Sequence, residues 1–276
     1  MPSPSSSPLV FENVCFGYGS RPVIDSLSLE VRAGEVLAIM GGSGVGKTTL
    51  LRLMTGLIAS GSGSVCAFNQ SLNGVSHEDL FAVRRRMGLL FQFGALFTDL
   101  SCFENVAFPL REHTDLSEQV IQDIVLLKLE SVGLRGAAQL MPSEISGGMA
   151  RRVALARAIA LDPELILYDE PFAGLDPISL GVTARLIRRL NDALGASSVV
   201  VTHDVAETFA IADRVAVLAP GKAGARLLAV GEPDSLRNSQ DPYLRQFLKG
   251  EEEGPVAFHY PAPALYDSFL KSGSRP

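Results

Sequence analysis

An α/β fold with a largely parallel sheet is predicted by three short apolar runs that each end in polar chemistry. Val36–Met40 (VLAIM) leads into a glycine-rich turn, residues 165–168 (LILY) lead into Asp169 and Glu170, and residues 199–201 (VVV) lead into Thr202, His203 and Asp204. Apolar runs of this length, closed by turn or charged residues, describe strands buried on both faces, as in parallel sheets flanked by helices. Ligands of such sheets bind beyond the carboxyl ends of the strands. The residues just past the three runs are therefore the first candidates for a site.

The turn after Val36–Met40 reads Gly41-Gly42-Ser43-Gly44-Val45-Gly46-Lys47-Thr48, matching G-x-x-x-x-G-K-[ST] at every fixed position. A phosphate chain needs backbone N–H groups aimed at it, and glycine lets the main chain turn tightly enough to supply them. Leu50, Leu51, Leu53 and Met54 then give a helical pattern whose positive end adds to the anion site. Lys47 is placed to reach β- and γ-phosphates, and the Thr48 hydroxyl to ligate Mg²⁺. The strand, loop and helix in this order predict nucleoside triphosphate binding.

Composition narrows the class. Of 276 residues, 47% are hydrophobic and 20% charged, which is an ordinary globular balance. A net charge of −6 lacks the basic surface that a free-standing nucleic-acid binder needs. Cys15, Cys66 and Cys102 form no C-x-x-C pair and read as small buried or half-buried side chains in a reducing compartment. Residues 1–8 (MPSPSSSP) have neither a basic start nor an apolar stretch and read as a disordered leader. No run of about 18 apolar residues occurs, so a soluble cytoplasmic chain is expected.

Leu9–Tyr18 alternates apolar and polar residues as a half-buried strand, Gly17, Gly19 and Pro22 mark a turn, and residues 26–31 alternate again. Tyr18, just past the first strand, either stacks on a base or packs at the strand end. Residues 60–64 break the structure, residues 65–68 form a short strand, and residues 79–87 read as a helix. The run Arg84-Arg85-Arg86 on that helix is expected to be a solvated face in an acidic protein. Residues 87–91 are a strand ending in Gln92, a candidate for metal or water contact.

From about residue 98 to 160 the pattern is helical. Residues 117–132 carry Val120, Ile124, Leu127 and Val132 at helical spacing, with Ser117 as N-cap and Gly133 and Gly136 closing the segment. Ser146, Gly147 and Gly148 then open a helix and form a second anion site of the same physical type as the first. Asp169 is placed to hold Mg²⁺ and Glu170 to orient and deprotonate a water. Residues 173–177 turn, and residues 179–194 form a helix whose Arg185, Arg188 and Arg189 are expected to be solvated. His203, at the end of the third core strand, is a candidate γ-phosphate contact.

Taken together, the phosphate loop, Gln92, the Ser146-Gly147-Gly148-Met149 signature, residues 165–170, the Gly174-Leu175-Asp176 turn and His203 resemble the ATP-binding cassette (ABC) ATPases over residues 9–248. The resemblance implies a P-loop NTPase with a RecA-like mixed-sheet core, an antiparallel β subdomain and a helical subdomain. It implies ATP and Mg²⁺ as ligands, held by the phosphate loop with Thr49 behind it. Tyr18 would stack on adenine, Gln92 would sense Mg²⁺ and the membrane partner, and Glu170 would be the catalytic base. Lys47 and His203 would hold the γ-phosphate. Ser146, Gly147 and Gly148 would bind ATP held on a second copy, and Asp176 would cross the homodimer interface.

Residues 91–100, residues 103–114 and residues 169–178 further resemble the ATPase subunits of MCE-linked, Mla-type phospholipid transporters, in which Met149 is the expected signature residue. That branch implies a polytopic permease, an MCE-domain lipid-binding subunit, often a STAS-domain regulatory subunit, and phospholipid as cargo. It implies a peripheral place on the cytoplasmic face of the inner membrane, and no nucleic acid. The tail 249–276 begins with an acidic triplet yet carries Val256, Phe258, Tyr260, Leu265, Tyr266, Phe269 and Leu270, and is expected to embrace the neighbouring ATPase. A polar-solute importer or lipoprotein-release ATPase shares the same ATP chemistry. A non-transport cassette acting on DNA or ribosomes calls for a coiled-coil insert, a basic surface or tandem cassettes, which the sequence lacks.

Overall fold

The computed structural model describes residues 7–256. The chain divides into two compact units, one ending at Leu236 and the other beginning at Arg237. The strands are β1 (Leu9–Tyr18), β2 (Arg21–Val31), β3 (Val36–Met40), β4 (Ser62–Ala67), β5 (Gln70–Ser71), β6 (Met87–Leu90), β7 (Leu165–Asp169), β8 (Ser197–Thr202), β9 (Arg214–Ala219) and β10 (Arg226–Gly231). The helices are α1 (Lys47–Met54), α2 (His77–Arg85), α3 (Cys102–His113), α4 (Glu118–Ser131), α5 (Gly147–Ala158), α6 (Pro177–Leu194), α7 (Val205–Ile211), α8 (Pro233–Arg237) and α9 (Pro242–Lys249).

In the core sheet β6, β7, β8, β3 and β9 lie side by side and parallel, with β10 antiparallel at the edge beyond β9. A second, antiparallel sheet has the order β2-β1-β4-β5. The period-two alternation of a strand sorts the core into two layers. Leu165 and Leu167 of β7 pack with Leu50 and Leu53 of α1 and with Leu9, Phe11 and Leu27 of the antiparallel sheet. Ile166 and Tyr168 face the opposite way, against Val106 of α3, Leu155 of α5 and Ile187 of α6. Each aliphatic side chain sealed in these layers contributes about 1.5–3 kcal/mol. Together they hold the carboxyl ends of β3, β6, β7 and β8 at one edge of the sheet.

Several expectations shift. Pro8 is not loose: its carbonyl accepts the Phe68 N–H at 2.9 Å, which ties the start of the chain to the β4–β5 turn. The second strand begins five residues early, at Arg21, because β1 pairs with it as far as Tyr18↔Arg21. The helix expected at 79–87 is His77–Arg85, capped by the Ser76 hydroxyl on the Asp79 N–H, and Met87 already belongs to β6.

The buried face of α4 is Ile121, Val125 and Leu129, while Val120 and Leu127 are exposed. Ser117 occupies the N-cap without a side-chain cap bond. Neither arginine group is simply solvated. Arg86 makes a two-pronged pair with Glu164 (2.6 and 2.8 Å) and lies over the Phe68 ring, and Arg188 bridges Asp192 and Asp213. The three cysteines are free, with Cys102 buried.

In the second unit, Asp241 caps α9 by accepting the Tyr243 and Leu244 N–H groups, and Gly250 ends it at a φ of 67°. The Gln246 amide exchanges two hydrogen bonds (2.8 and 2.9 Å) with the backbone of Val256. The apolar tail residues from Phe258 to Leu270 lie outside the described residues.

Candidate functional site

The loop leaving β3 is shaped by glycine where nothing else fits. A Cβ on Gly41 would stand 2.9 Å from both the Leu218 carbonyl oxygen and Val45 Cγ1. One on Gly46 would meet Val23 and Ile24 side chains at 3.0 Å, at a φ of +105°. Val45 is buried and pins the loop, whereas Ser43 and Gly44 are exposed. Gly46 is the N-cap of α1 and offers no side-chain cap, so the first N–H groups of the helix stay open to an anion. Lys47 is buried, and its Nζ donates to the carbonyls of Gly41 (2.8 Å) and Gly42 (3.2 Å).

Strand register delivers the acid residues to this loop. Asp169 stands opposite Val201, and the Glu170 N–H donates to the Val201 carbonyl at 2.8 Å. Glu170 takes a left-handed φ of 46°, which turns its carboxylate back across the sheet edge. One carboxylate oxygen lies 3.6 Å from Lys47 Nζ and the other 2.9 Å from His203 Nδ1. Glu170 and Lys47 are nearly sealed, with side chains 13% and 8% exposed, so each charge is offset mainly by the other. His203 is more open, and Asp204 beside it joins the same cluster of ligand atoms, all within 4.8 Å.

Asp169 is a carboxylate short of partners. Its Oδ1 is buried and accepts no hydrogen bond among the described residues. Burial first, and the Glu170 charge second, push its carboxyl above the usual carboxylate range, against a smaller pull from Lys47 and the Thr48 hydroxyl. An orphaned anionic oxygen beside a threonine hydroxyl is a hard oxygen donor set. Asp169 and Thr48 therefore fit Mg²⁺.

Around this centre sit the remaining candidates. Tyr18 is 45% exposed at the end of β1, and its hydroxyl accepts from Arg52 Nη1 at 3.1 Å. Thr49, buried in α1, and then Arg52 hold the Tyr18 phenol below its ordinary pKa. Gln92 follows β6 half-buried. Ser146 caps α5 by accepting the Met149 N–H at 3.2 Å, and Ser146 and Gly147 are exposed. Asp176 caps α6 by accepting from the Ile178 and Ser179 N–H groups, and these bonds hold its carboxyl below the usual range. Gly41 to Thr49, Asp169, Glu170 and His203 thus share one end of the sheet. Ser146 and Asp176 cap surface helices, Gly147 and Gly148 open α5, and among the described residues none of the four hydrogen-bonds to the phosphate loop.

Three supporting residues were not singled out from sequence. Arg151 of α5 is buried, and its guanidinium donates to the carbonyls of Gln92 (2.8 Å), Pro171 (3.0 Å) and Ala173 (2.8 Å). Asn105 of α3, fully buried, accepts the Phe97 N–H and donates to the carbonyls of Phe97, Leu100 and Ser101. Arg157 donates to the carbonyls of Gly94 and Ala95.

Comparison with known proteins agrees with this geometry. The ABC transporter family matches residues 24–173. The chain is 56% identical over 251 residues to the intermembrane phospholipid transport system ATP-binding protein MlaF of Haemophilus influenzae, covering 91% of this chain and 94% of that one. It is 54% identical over 258 residues to MlaF of Escherichia coli K12, covering 94% of each. At 39% identity it matches the probable ribonucleotide transport ATP-binding protein mkl of Mycobacterium tuberculosis, over 87% of this chain and 66% of that one.

Among solved structures, a dimeric ATP-binding cassette in a post-hydrolysis state bound to ADP and Pi superposes with a TM-score of 0.72 at 30% identity, covering 82% of this chain and 98% of that one. The cbiO1 subunit of the cbiONQ transporter complex of Clostridium perfringens gives 0.77 at 27% identity, covering 88% and 95%. The phosphate loop, the paired carboxylates and these likenesses agree on an enzyme that binds and hydrolyses ATP, and the chain belongs to the ABC transporter family of ATP-binding proteins.

Proposed function

We propose that this chain is the motor subunit of an inner-membrane transporter that moves phospholipid between the inner and outer membranes and so maintains outer-membrane lipid asymmetry. The observation that carries the reading is 56% identity, across 91% of the chain, to a relative named for intermembrane phospholipid transport. The chain would sit as a peripheral subunit on the cytoplasmic face, paired with a polytopic permease; among the described residues no helix is long and apolar enough to cross a membrane. A concave groove of about 460 Å³ with Phe81, Phe91, Phe97 and Phe108 in its wall offers a seat for such a permease. An MCE-domain lipid-binding subunit and a STAS-domain regulatory subunit complete the proposed assembly.

Backbone N–H groups from Gly42 to Thr48 cradle the phosphates of ATP, and Lys47 exchanges its loop carbonyls for β- and γ-phosphate oxygens. Thr48 and Asp169 would hold Mg²⁺, with Gln92 as a further candidate ligand, and the ion when bound would supply positive charge to offset that building on the phosphates. Glu170 accepts a proton from a water as that water's oxygen bonds the γ-phosphorus and the bond to the ADP oxygen breaks. His203 donates to the γ-phosphate and, through its 2.9 Å contact, orients Glu170. Tyr18 stacks on the adenine.

Ser146, Gly147 and Gly148 present open N–H groups on the surface, which supports their completing the site of a second copy in a homodimer. Ile178, 80% exposed beside Asp176, supplies apolar surface for the same contact. The tail 249–276 embraces the neighbouring ATPase, and truncation after Gly250 should weaken dimerisation.

A tagged pull-down from detergent-solubilised membranes, with mass spectrometry of proteins and lipids, tests the assignment. Recovery of a polytopic permease, an MCE-domain protein and phospholipid supports it. A permease with a solute-binding protein and no lipid overturns the cargo but keeps the motor. The ribonucleotide name carried by the 39% identical relatives makes that second reading specific enough to test.

A further inference from the structure

The phosphate loop leans on a part of the chain that carries none of its motifs. Strands β9 and β10 form an antiparallel hairpin whose turn is residues 220–225. β3 pairs with β9 up to Met40↔Val217, and the next residue of β9, Leu218, lies against Gly41. A Cβ on Gly41 would stand 2.9 Å from the Leu218 carbonyl oxygen and 3.2 Å from Leu218 Cβ. A second support passes through β2. A Cβ on Gly46 would meet Val23 Cγ1 and Ile24 Cδ1 at 3.0 Å, and the backbone of these two residues is stitched to the hairpin turn. The Ala225 N–H donates to the Val23 carbonyl at 2.8 Å, the Asp25 N–H donates to the Ala225 carbonyl at 2.9 Å, and Ile24 pairs with Ala225 as a parallel bridge. Gly224 holds a φ of +117°, and a Cβ there would stand 2.9 Å from the Val23 carbonyl carbon and 3.0 Å from the Ile24 nitrogen. These are backbone atoms, which cannot swing aside as a side-chain tip can. Ile24, Leu218 and Ala225 are all buried in one layer of the core.

We propose that the β9–β10 hairpin is the floor of the ATP site, and that Gly224 is a positioning residue for ATP that acts through Val23 and Ile24 on Gly46. Gly46 is the N-cap of α1, so the place of Val23 and Ile24 fixes where the anion-binding turn begins and where Lys47 and Thr48 start. Donors already aimed at a ligand bind it tightly because little ordering remains to be done on binding. Glu170 and His203 follow β7 and β8, which the sheet order separates from β9 by β3. A shift of the floor therefore falls on ATP affinity rather than on the groups around the attacking water. This role rests on residues 41–48 being the ATP phosphate loop.

Calorimetric titration of the full-length chain with ATP and Mg²⁺ reads the affinity, and thermal melting without ligand reads the stability. Gly224→Ala is expected to weaken ATP binding about tenfold. Adding Ile24→Val removes the Cδ1 that meets Gly46, and the double variant is expected to bind within about threefold of wild type while melting no higher than Gly224→Ala. Val125→Ala opens a cavity in the opposite layer of the core and should lower the melting temperature with ATP affinity unchanged. ATP binding by Gly224→Ala within about twofold of wild type overturns the floor. So does a loss that Ile24→Val does not relieve, or one that Val125→Ala reproduces. If Gly224→Ala does not fold, hydrogen exchange of the wild type decides: ATP should slow the Asp25 and Ala225 amides by a larger factor than the Cys66 and Ala67 amides of β4, and an equal effect on both pairs refutes the coupling. Undiminished ATP binding by Lys47→Ala would instead overturn the phosphate-loop reading itself, whatever Gly224→Ala does.

Discussion

Replacing Asp169 with asparagine should make the nucleotide-free protein more stable while abolishing hydrolysis. Asp169 carries a buried oxygen with no hydrogen-bond partner, and its carboxyl is raised above the ordinary range by burial and by Glu170. A raised acid favours the fold fully while protonated, below its unfolded pKa of about 3.9, and that contribution is lost as pH rises through the folded value. At neutral pH the ionised group is thus a liability in the absence of a cation. An unsatisfied buried polar group costs about 1–3 kcal/mol, and the amide removes the charge while the Thr48 and Lys47 contacts limit the gain. A net gain of about 1–2 kcal/mol raises the melting temperature of a domain this size by about 2–8 °C.

Differential scanning calorimetry across pH, without nucleotide or divalent metal, reads the difference directly. The gap between variant and wild type should open as pH rises from the acid limb. With Mg²⁺ and ATP present the order should reverse, because the wild type alone gains the metal contact. A variant that melts at or below the wild type at neutral pH, free of ligand, refutes the reasoning.

Three further outcomes follow from the same geometry. Glu170→Gln should lower turnover by about a hundredfold or more while ATP binding persists, read by phosphate release and by nucleotide retained on gel filtration. Arg52→Ala should raise the KM for ATP about two- to fivefold with little change in kcat, and the effect should vanish in a Tyr18→Ala background, since Arg52 acts through the Tyr18 hydroxyl. Asn105→Ala removes five hydrogen bonds from a fully buried side chain, one of them accepted from Arg157, and should cost about 2–4 kcal/mol in urea titration; a loss under about 1 kcal/mol would mean the 97–101 loop holds without it.

The parts of the site written in backbone chemistry are legible in the sequence. Gly41 and Gly46 occupy positions where any Cβ collides, and the carboxylates end a strand apolar enough to be assigned to the core. What was not legible depended on contacts distant in sequence. α4 has Ile121, Val125 and Leu129 on one side and Val120, Ile124 and Leu127 on another, both at helical spacing, so only the neighbouring helices decide which is buried. Arg151 meets a carbonyl 59 residues earlier in the chain, and Arg86 meets Glu164 78 residues later. A charge on a helix reads as solvated until such partners are known.

The single guanidinium of Arg151 bears on how a signal leaves the ATP site. Gln92 follows Phe91, which lines the aromatic groove, and Pro171 and Ala173 follow Glu170. Any rotation of one of these peptide planes would strand a desolvated donor, so the three segments are expected to shift together rather than one at a time. The clamp is therefore expected to act as a crank with three arms on one pin, linking a displacement next to Glu170 to one at Gln92 without an intervening loose joint.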